Sequence, residues 1–367
     1  MVAMKSIQYY LLIFILFIFT NLSQATAREL TVTFIIPDKE GPMFWQLVKD
    51  VSASVSSDLG ISFNYVHADS DRFAGEKVIK EILTYKDKPD FLIFRPFKGN
   101  AESTFNLLER NQLPFVTIER AFDGNEAELL KEPQERYTYW LGQINYDNRH
   151  GGELLASALI ERHLLQNPSR RAEIIGIGGD FDSVSTERQK YLQQLIQYPE
   201  DSVIVNQVFP MNWNPLMVRA RMNSIVNRYP KGNIYWSAGD QMSFEVIDYY
   251  KINKLPLPLV GGFDWLPESL ERIAKGEMTA SVGGHFLIVA QALIKLVDYA
   301  NGIDRMSQQT IYNYELITIE NVKKYQYFLN QHGWKDIDYR LFSHSLSEQK
   351  YTLTIDKLVE LYRQKNQ

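Results

Sequence analysis

The sequence predicts an α/β protein built from two doubly wound, parallel-sheet lobes. Three observations predict it. Short β-branched apolar runs alternate with amphipathic helical stretches. That alternation runs through four strands by residue 120 and then restarts near residue 137. Once a leader is set aside, about 340 residues remain, more than one core usually serves.

The leader comes first. Lys5 precedes the apolar run "YYLLIFILFIF" (9–19), and "ATA" closes the segment at Ala27. A basic start, a short apolar core and small residues at −3 and −1 make a secretory signal peptide over 1–27. The run is short for a membrane span. The mature chain is then expected in a periplasm. With no cysteine in 367 residues, an exported chain depends on core burial rather than disulfides. The same lack excludes a lipid-modified N-terminal cysteine. The balance of 44 acidic against 39 basic residues has no basic stripe, so nucleic acid is not an expected partner.

The elements follow in order. "LTVTFIIP" (30–37) reads as a buried strand. "MFWQLVKDV" then opens a helix with apolar spacing at Phe44, Leu47, Val48, Val51 and Val55, which puts Phe44 on the core stripe and Trp45 off it. Trp45 then either packs under a loop or faces a ligand. Strands are expected at 61–69, 89–96 and 114–120, with helices at 75–85 and 102–112. "YTYWLGQI" (137–144) leads into a long helix from Asn148. Strands at 172–180, 202–210, 233–240, 258–264 and 278–284 follow. The helices between them include "STERQKYLQQLIQ" (185–197), capped by Ser185 or Thr186. "FLIVAQALIKLVDYANG" (286–302) is a helix, and "LTIDKLVELYRQ" (353–364) is a terminal one. There is no repeat of solenoid period.

In a doubly wound sheet, ligands bind outside the carboxyl ends of the strands. Those ends carry Phe44 and Trp45, Glu119 and Arg120, Arg188, Trp213, Asp240, Asp264 and His285. Aromatics cover the C–H faces of a sugar ring. Carboxylates and guanidinium groups bind adjacent hydroxyls through charge-assisted hydrogen bonds. Each residue also has a plainer reading. Glu119 and Arg120 make an exposed turn pair, Arg188 a solvated helix residue, Trp213 an edge cap and Asp264 a helix cap.

Six segments in order give a resemblance: "GPMFWQLV", "VTIER", "YDNRHGGELLA", "STERQKYL", "SAGDQMSFEVI" and "LVGGFDWLPESLERIAKGEMTASV". Over about residues 29–320 the chain resembles the type I periplasmic binding proteins of the ribose- and galactose-binding kind. The resemblance implies two lobes joined by a multi-strand hinge. Its lobes are 28–143 with 286–310, and 144–285 with 311–330, followed by an extension over 331–367. Phe44 and Trp45 match the aromatics that hold the ring, and Glu119 with Arg120 match an Asp-Arg pair. Asp147 and Asn148 match the pair that opens the second lobe. Arg188, Trp213 and Asp264 fall on second-lobe positions. The chain departs from the pattern at Glu119, one methylene longer, and at Gly239, which has no side chain. It also departs at Gly284, with His285 as the substitute, and at an extra residue between Pro42 and Phe44.

Enzyme signatures are poor. "GIGGDF" lacks the third glycine of a dinucleotide fingerprint. The six histidines show no metal-ligand spacing. The lactose-repressor relatives of this fold begin with a helix-turn-helix, and this chain does not. The expected function is capture of a small sugar-like ligand by a monomer, without cofactor or metal, through hinge closure. An ABC permease then reads the closed form. The alternatives are a membrane histidine kinase or other receptor as the partner and, behind these, a glycoside-acting enzyme.

Overall fold

In the computed structural model, residues 29–38, 43–69, 73–198, 201–307 and 311–366 are described. The signal-peptide reading lies outside them, whereas the extra residue after Pro42, Met43, is the first of the helix that follows. The first sheet begins with β1 (Leu30–Ile36), α1 (Met43–Leu59), β2 (Ile61–His67), α2 (Ala74–Ile82) and β3 (Phe91–Phe94). It continues through α3 (Ala101–Arg110), β4 (Phe115–Ile118), α4 (Gly124–Leu130) and β5 (Trp140–Tyr146). The second set is α5 (Asn148–Gln166), β6 (Ala172–Gly178), α6 (Ser183–Gln197), β7 (Val203–Pro210) and α7 (Pro215–Arg228). Then come β8 (Ile234–Ser237), α8 (Asp240–Ile252), β9 (Leu259–Phe263), α9 (Pro267–Ala274) and β10 (Ala280–Gly283). The chain returns as α10 (Ile288–Ala300) and β11 (Ile311–Tyr312), and crosses again to β12 (Glu315–Thr318).

Two six-stranded sheets result, in the orders β11-β5-β4-β3-β1-β2 and β12-β10-β9-β8-β6-β7. The characterised pairs are parallel except β10–β12. Parallel strands buried on both faces explain why β1, β3, β4 and β6 read as continuous apolar runs rather than alternating ones. The first core is aromatic: Phe105 packs its ring 4.8 Å from both Phe115 and Trp140, and Trp140 Nε1 donates to Thr117 Oγ1. In the second, Trp236 lies 6.0 Å from Phe263 and donates to the Gly152 carbonyl.

The chain passes between the sheets three times, at Tyr146–Asn148, at Gly283–Ile288 and between Tyr312 and Glu315. The third crossing corrects the sequence expectation. Ile311 and Tyr312 pair with Asn145 and Tyr146 in the first sheet, so the second-lobe segment begins after Tyr312 rather than at 311. Likewise β5 runs to Tyr146, past the expected boundary at 143. The sequence reading has no counterpart for β11, β12 or α4, because two, four and seven residues are too few to show a period.

The rotation of α1 is also corrected. Trp45, Val48, Ser52, Val55 and Leu59 are buried, whereas Phe44 is only half-buried. Ser56 is buried along with Ser52: α10 packs on α1, and so do two 3₁₀ turns of the C-terminal extension, Gly333–Asp336 and Tyr339–Phe342. That extension follows α11 (Val322–Asn330) and ends in α12 (Ile355–Lys365). Together they tie to both sheets. Tyr325 of α11 lies tilted 4.7 Å from Trp265 beside α9, Tyr339 N donates to Asp58 at the end of α1, and Ser343 donates to Asp298 of α10. Among the described residues no helix is long and apolar enough to cross a membrane.

Candidate functional site

The carboxyl ends of the parallel strands in both sheets meet at one narrow cavity, too tight to admit a water molecule. It is lined by Glu119, Tyr146, Asn148, Val184, His285, Ile288 and Tyr314. All three crossings contribute to this lining. They are bonded to one another: Tyr146 Oη donates to the Gly284 carbonyl, and its ring lies 5.1 Å from that of Tyr314. Gly284 holds φ at 94°, a conformation that costs other residues, so the glycine sets the angle at which the second crossing leaves β10.

Arg188 is the centre of the polar network. It projects from α6 and is 3% exposed. Its Nε donates to Asn148 Oδ1 at 3.0 Å, Nη1 to the Ala238 carbonyl at 2.8 Å and Nη2 to Tyr314 Oη at 3.0 Å. Asn148 Oδ1 also accepts from Tyr314 Oη at 2.7 Å. The guanidinium lies over Phe263 at 4.3 Å and over Trp213 at 5.7 Å. Arg188 reaches this place because α5 and α6 touch at Gly152, where a Cβ would lie 1.8 Å from the Arg188 carbonyl oxygen.

His285 sits beside it. Its Nε2 is 3.4 Å from Arg188 Nη2 and 3.4 Å from Asp264 Oδ1, and its ring stacks on Phe44 at 4.5 Å. Burial first, and then the Arg188 charge, hold the imidazole down at about 4, against the pull of Asp264. His285 is therefore neutral near pH 7. Its Nδ1 is buried without a partner, as is Trp213 Nε1. Glu119 is shifted the other way: burial pushes its carboxyl up, against the attraction of Arg95 and Arg188. Two unpaired polar nitrogens close to half-compensated carboxylates leave hydrogen-bonding capacity for a ligand.

Backbone strain concentrates here. Glu119, Asn212, Trp213, Asp264 and Trp265 hold φ at 64°, 50°, 55°, 117° and 60°. Such residues cost about 1–3 kcal/mol each and cluster where function demands them.

The expected residues separate into two groups. Phe44, Glu119, Asn148, Arg188, Trp213, Asp264 and His285 are linked in one network. The other four stand apart. Trp45 is buried against Phe34 and meets Phe44 edge-on. Arg120 turns into its own lobe, paired with Glu126 and lying over Phe122. Asp147 caps α5 by accepting from His150 N. Asp240 is fully buried, accepting from Leu266 N, Ser269 Oγ and Ser281 Oγ. Burial and then the Asp264 carboxylate push Asp240 well up. Asp240 thus positions the strained Asp264–Leu266 turn rather than reaching the cavity.

Sequence reasoning missed Arg95, Asp182 and Tyr314. Arg95 follows β3, so the rule used at the other strand ends points to it. Asp182 is the cap of α6, accepting from Val184 N, and the helix starts earlier than Ser185. Tyr314 depends on the third crossing, which no local pattern announces. Among the described residues no cluster of three or more His, Cys, Asp or Glu is arranged to hold a metal.

Residues 32–302 match the family described as periplasmic binding protein domain. The chain belongs to this family. No curated protein matches it. Solved structures agree on the fold of this binding protein. A periplasmic sugar-binding protein from Pseudomonas fluorescens superposes with TM-score 0.75 at 19% identity, over 85% of this chain and 94% of that one. A galactofuranose binding protein gives 0.69 at 16% identity, over 82% and 99%. The Caulobacter myo-inositol binding protein gives 0.67 at 18% identity, over 81% and 96%.

Proposed function

We propose that this periplasmic binding protein captures one small, uncharged, sugar-like polyol between its two sheets and hands it to an ABC permease. The observation that carries this reading is the convergence of Glu119, Asn148 and His285 on one cavity, with Arg188, Trp213 and Asp264 in direct contact with these residues or with one another behind it. Carboxylates accept hydroxyl protons, Arg188 and the free indole N–H donate, and Phe44 with Trp213 offers apolar faces. The structural neighbours named for sugars and inositol support the ligand class. The chain acts as an exported monomer, and the ligand leaves chemically unchanged.

Isothermal titration with aldopentoses, aldohexoses, furanose-forming sugars and inositols tests it, with chromatography of the recovered ligand. One panel member is expected to bind with Kd in the micromolar range or below and to be recovered intact. Arg188→Ala is expected to weaken it at least about 100-fold, because buried hydrogen bonds to a charged group are lost. No binding across the panel, or conversion of the ligand, overturns the reading.

A further inference from the structure

A second contact spans the cleft, apart from the three crossings. Arg95 follows β3 in the first sheet, and Asp182 caps α6 on the second. Arg95 Nη2 donates to Asp182 Oδ2 at 2.6 Å, and Nη1 lies 3.7 Å from Glu119 Oε2. All three side chains are 10% exposed or less. Asp182 is held in place for this contact. Its Oδ1 accepts from Ser183 Oγ and Val184 N, while its own N–H donates to Asp180 Oδ1. One oxygen caps the helix and the other is left for Arg95. The Arg95 head lies 5.4 Å from Phe97, and its Nε is buried without a partner.

The cavity beside this pair is too tight to admit a water molecule, whereas pockets that hold small molecules run from about 300 Å³ upward. Glu119 and Val184, which line it, flank the ion pair in sequence or contact. A ring cannot enter while the pair is formed at its present length. Bringing the ligand in requires the two sheets to separate at this contact.

We propose that Arg95 and Asp182 form an interlobe latch that holds the cleft shut by itself and must open before a ligand enters. The latch adds a closing contact that owes nothing to the ligand, so the closed form is populated in its absence. It also sets the entry rate, because the ligand meets only the unlatched fraction. Asp182 is held below its usual range: burial opposes ionisation, but the Arg95 charge and the hydrogen bonds outweigh it. The carboxylate is therefore ionised and able to pair at neutral pH.

The chain has no cysteine, so spin labels go only where they are placed. Lys80→Cys on α2 and Lys190→Cys on α6 are exposed positions of the two lobes. Inter-label distances are measured without ligand in the otherwise native chain, in Asp182→Asn and in Arg95→Met. Asparagine keeps the helix cap while removing the charge. The native protein is expected to show mainly one short distance, and both variants a longer one. The double variant is expected to open no further than either single one. Unchanged thermal melts show that the variants are folded. An identical distance distribution in all forms overturns the latch. The entry-rate part rests on the proposed ligand class. Stopped-flow association of the tightest panel sugar is expected to be at least about threefold faster in Asp182→Asn. If no sugar binds, that reading fails, and the latch stands or falls on the distances alone.

Discussion

At the scale of single residues, His285 carries the clearest pH signature. Its folded-state value is about 4, below the ordinary 6.5, chiefly through burial. Between those values the unfolded chain holds a proton that the folded chain lacks. Stability is therefore complete above pH 6.5 and is lost as pH falls toward 4. The contribution amounts to about 3 kcal/mol at most. Glu119 and Asp240 are shifted upward by burial and act in the opposite direction. The comparison that isolates the imidazole is thus urea unfolding of the native chain against His285→Gln, at pH 7 and pH 4.5. The variant is expected to lose about 2 kcal/mol less over that interval. Equal losses would show that His285 is protonated in the folded state. The residue scale also shows where side-chain identity misleads. Arg120 and Arg95 are both buried arginines beside a strand end, yet only Arg95 reaches Glu119 and the opposite lobe.

At the scale of elements, the C-terminal extension is anchored by one carboxylate of α10. Asp298 is fully buried and accepts from Ser343 Oγ at 2.6 Å, Ser345 N at 2.9 Å, His344 N at 3.1 Å and Arg305 Nη1 at 2.8 Å. Burial raises its pKa, but these donors outweigh that and hold it below the usual range. Asp298→Ala strands several donors at once and is expected to cost about 3 kcal/mol. Chemical denaturation measures the loss, and limited proteolysis is expected to cut first within residues 343–353. Unchanged protection there would mean that packing on α1 alone retains the extension. A second tie lies at the crossings, where Gln291 of α10 donates both to Tyr146 Oη and to the Leu353 carbonyl. The extension is thereby tied through Gln291 to the first crossing.

At the scale of the whole molecule, the described residues from Thr31 on form one compact unit. Thermal unfolding of this unit is accordingly expected as one transition. A sugar present at 100 times its Kd is expected to stabilise the folded form by about 2.7 kcal/mol and raise that single midpoint. Two separated transitions, only one of them moved by ligand, would show that the lobes melt independently. The family match over residues 32–302 spans strands of both sheets, β2 to β10 whole, and stops before β11 and β12.

The sequence alone reveals the order of the longer strands and helices, the presence of two sheets and most residues at their carboxyl ends, but not β11, β12 or α4. Parallel topology makes this possible: every β-to-α turn of a doubly wound sheet opens on the same edge, so Glu119, Arg188, Trp213 and Asp264 converge wherever the helices settle. Only the tertiary structure decided which side chains at those ends face the cleft. The left-handed turn at Glu119 sends Glu119 inward and Arg120 away. The extension and α10 both pack on α1, whose Trp45 is buried against Phe34 while Phe44 stacks on His285. Asp240 is drawn beneath the site by three donors from two later segments. Each of these outcomes depends on contacts between segments far apart in the chain, and local periodicity holds no record of them.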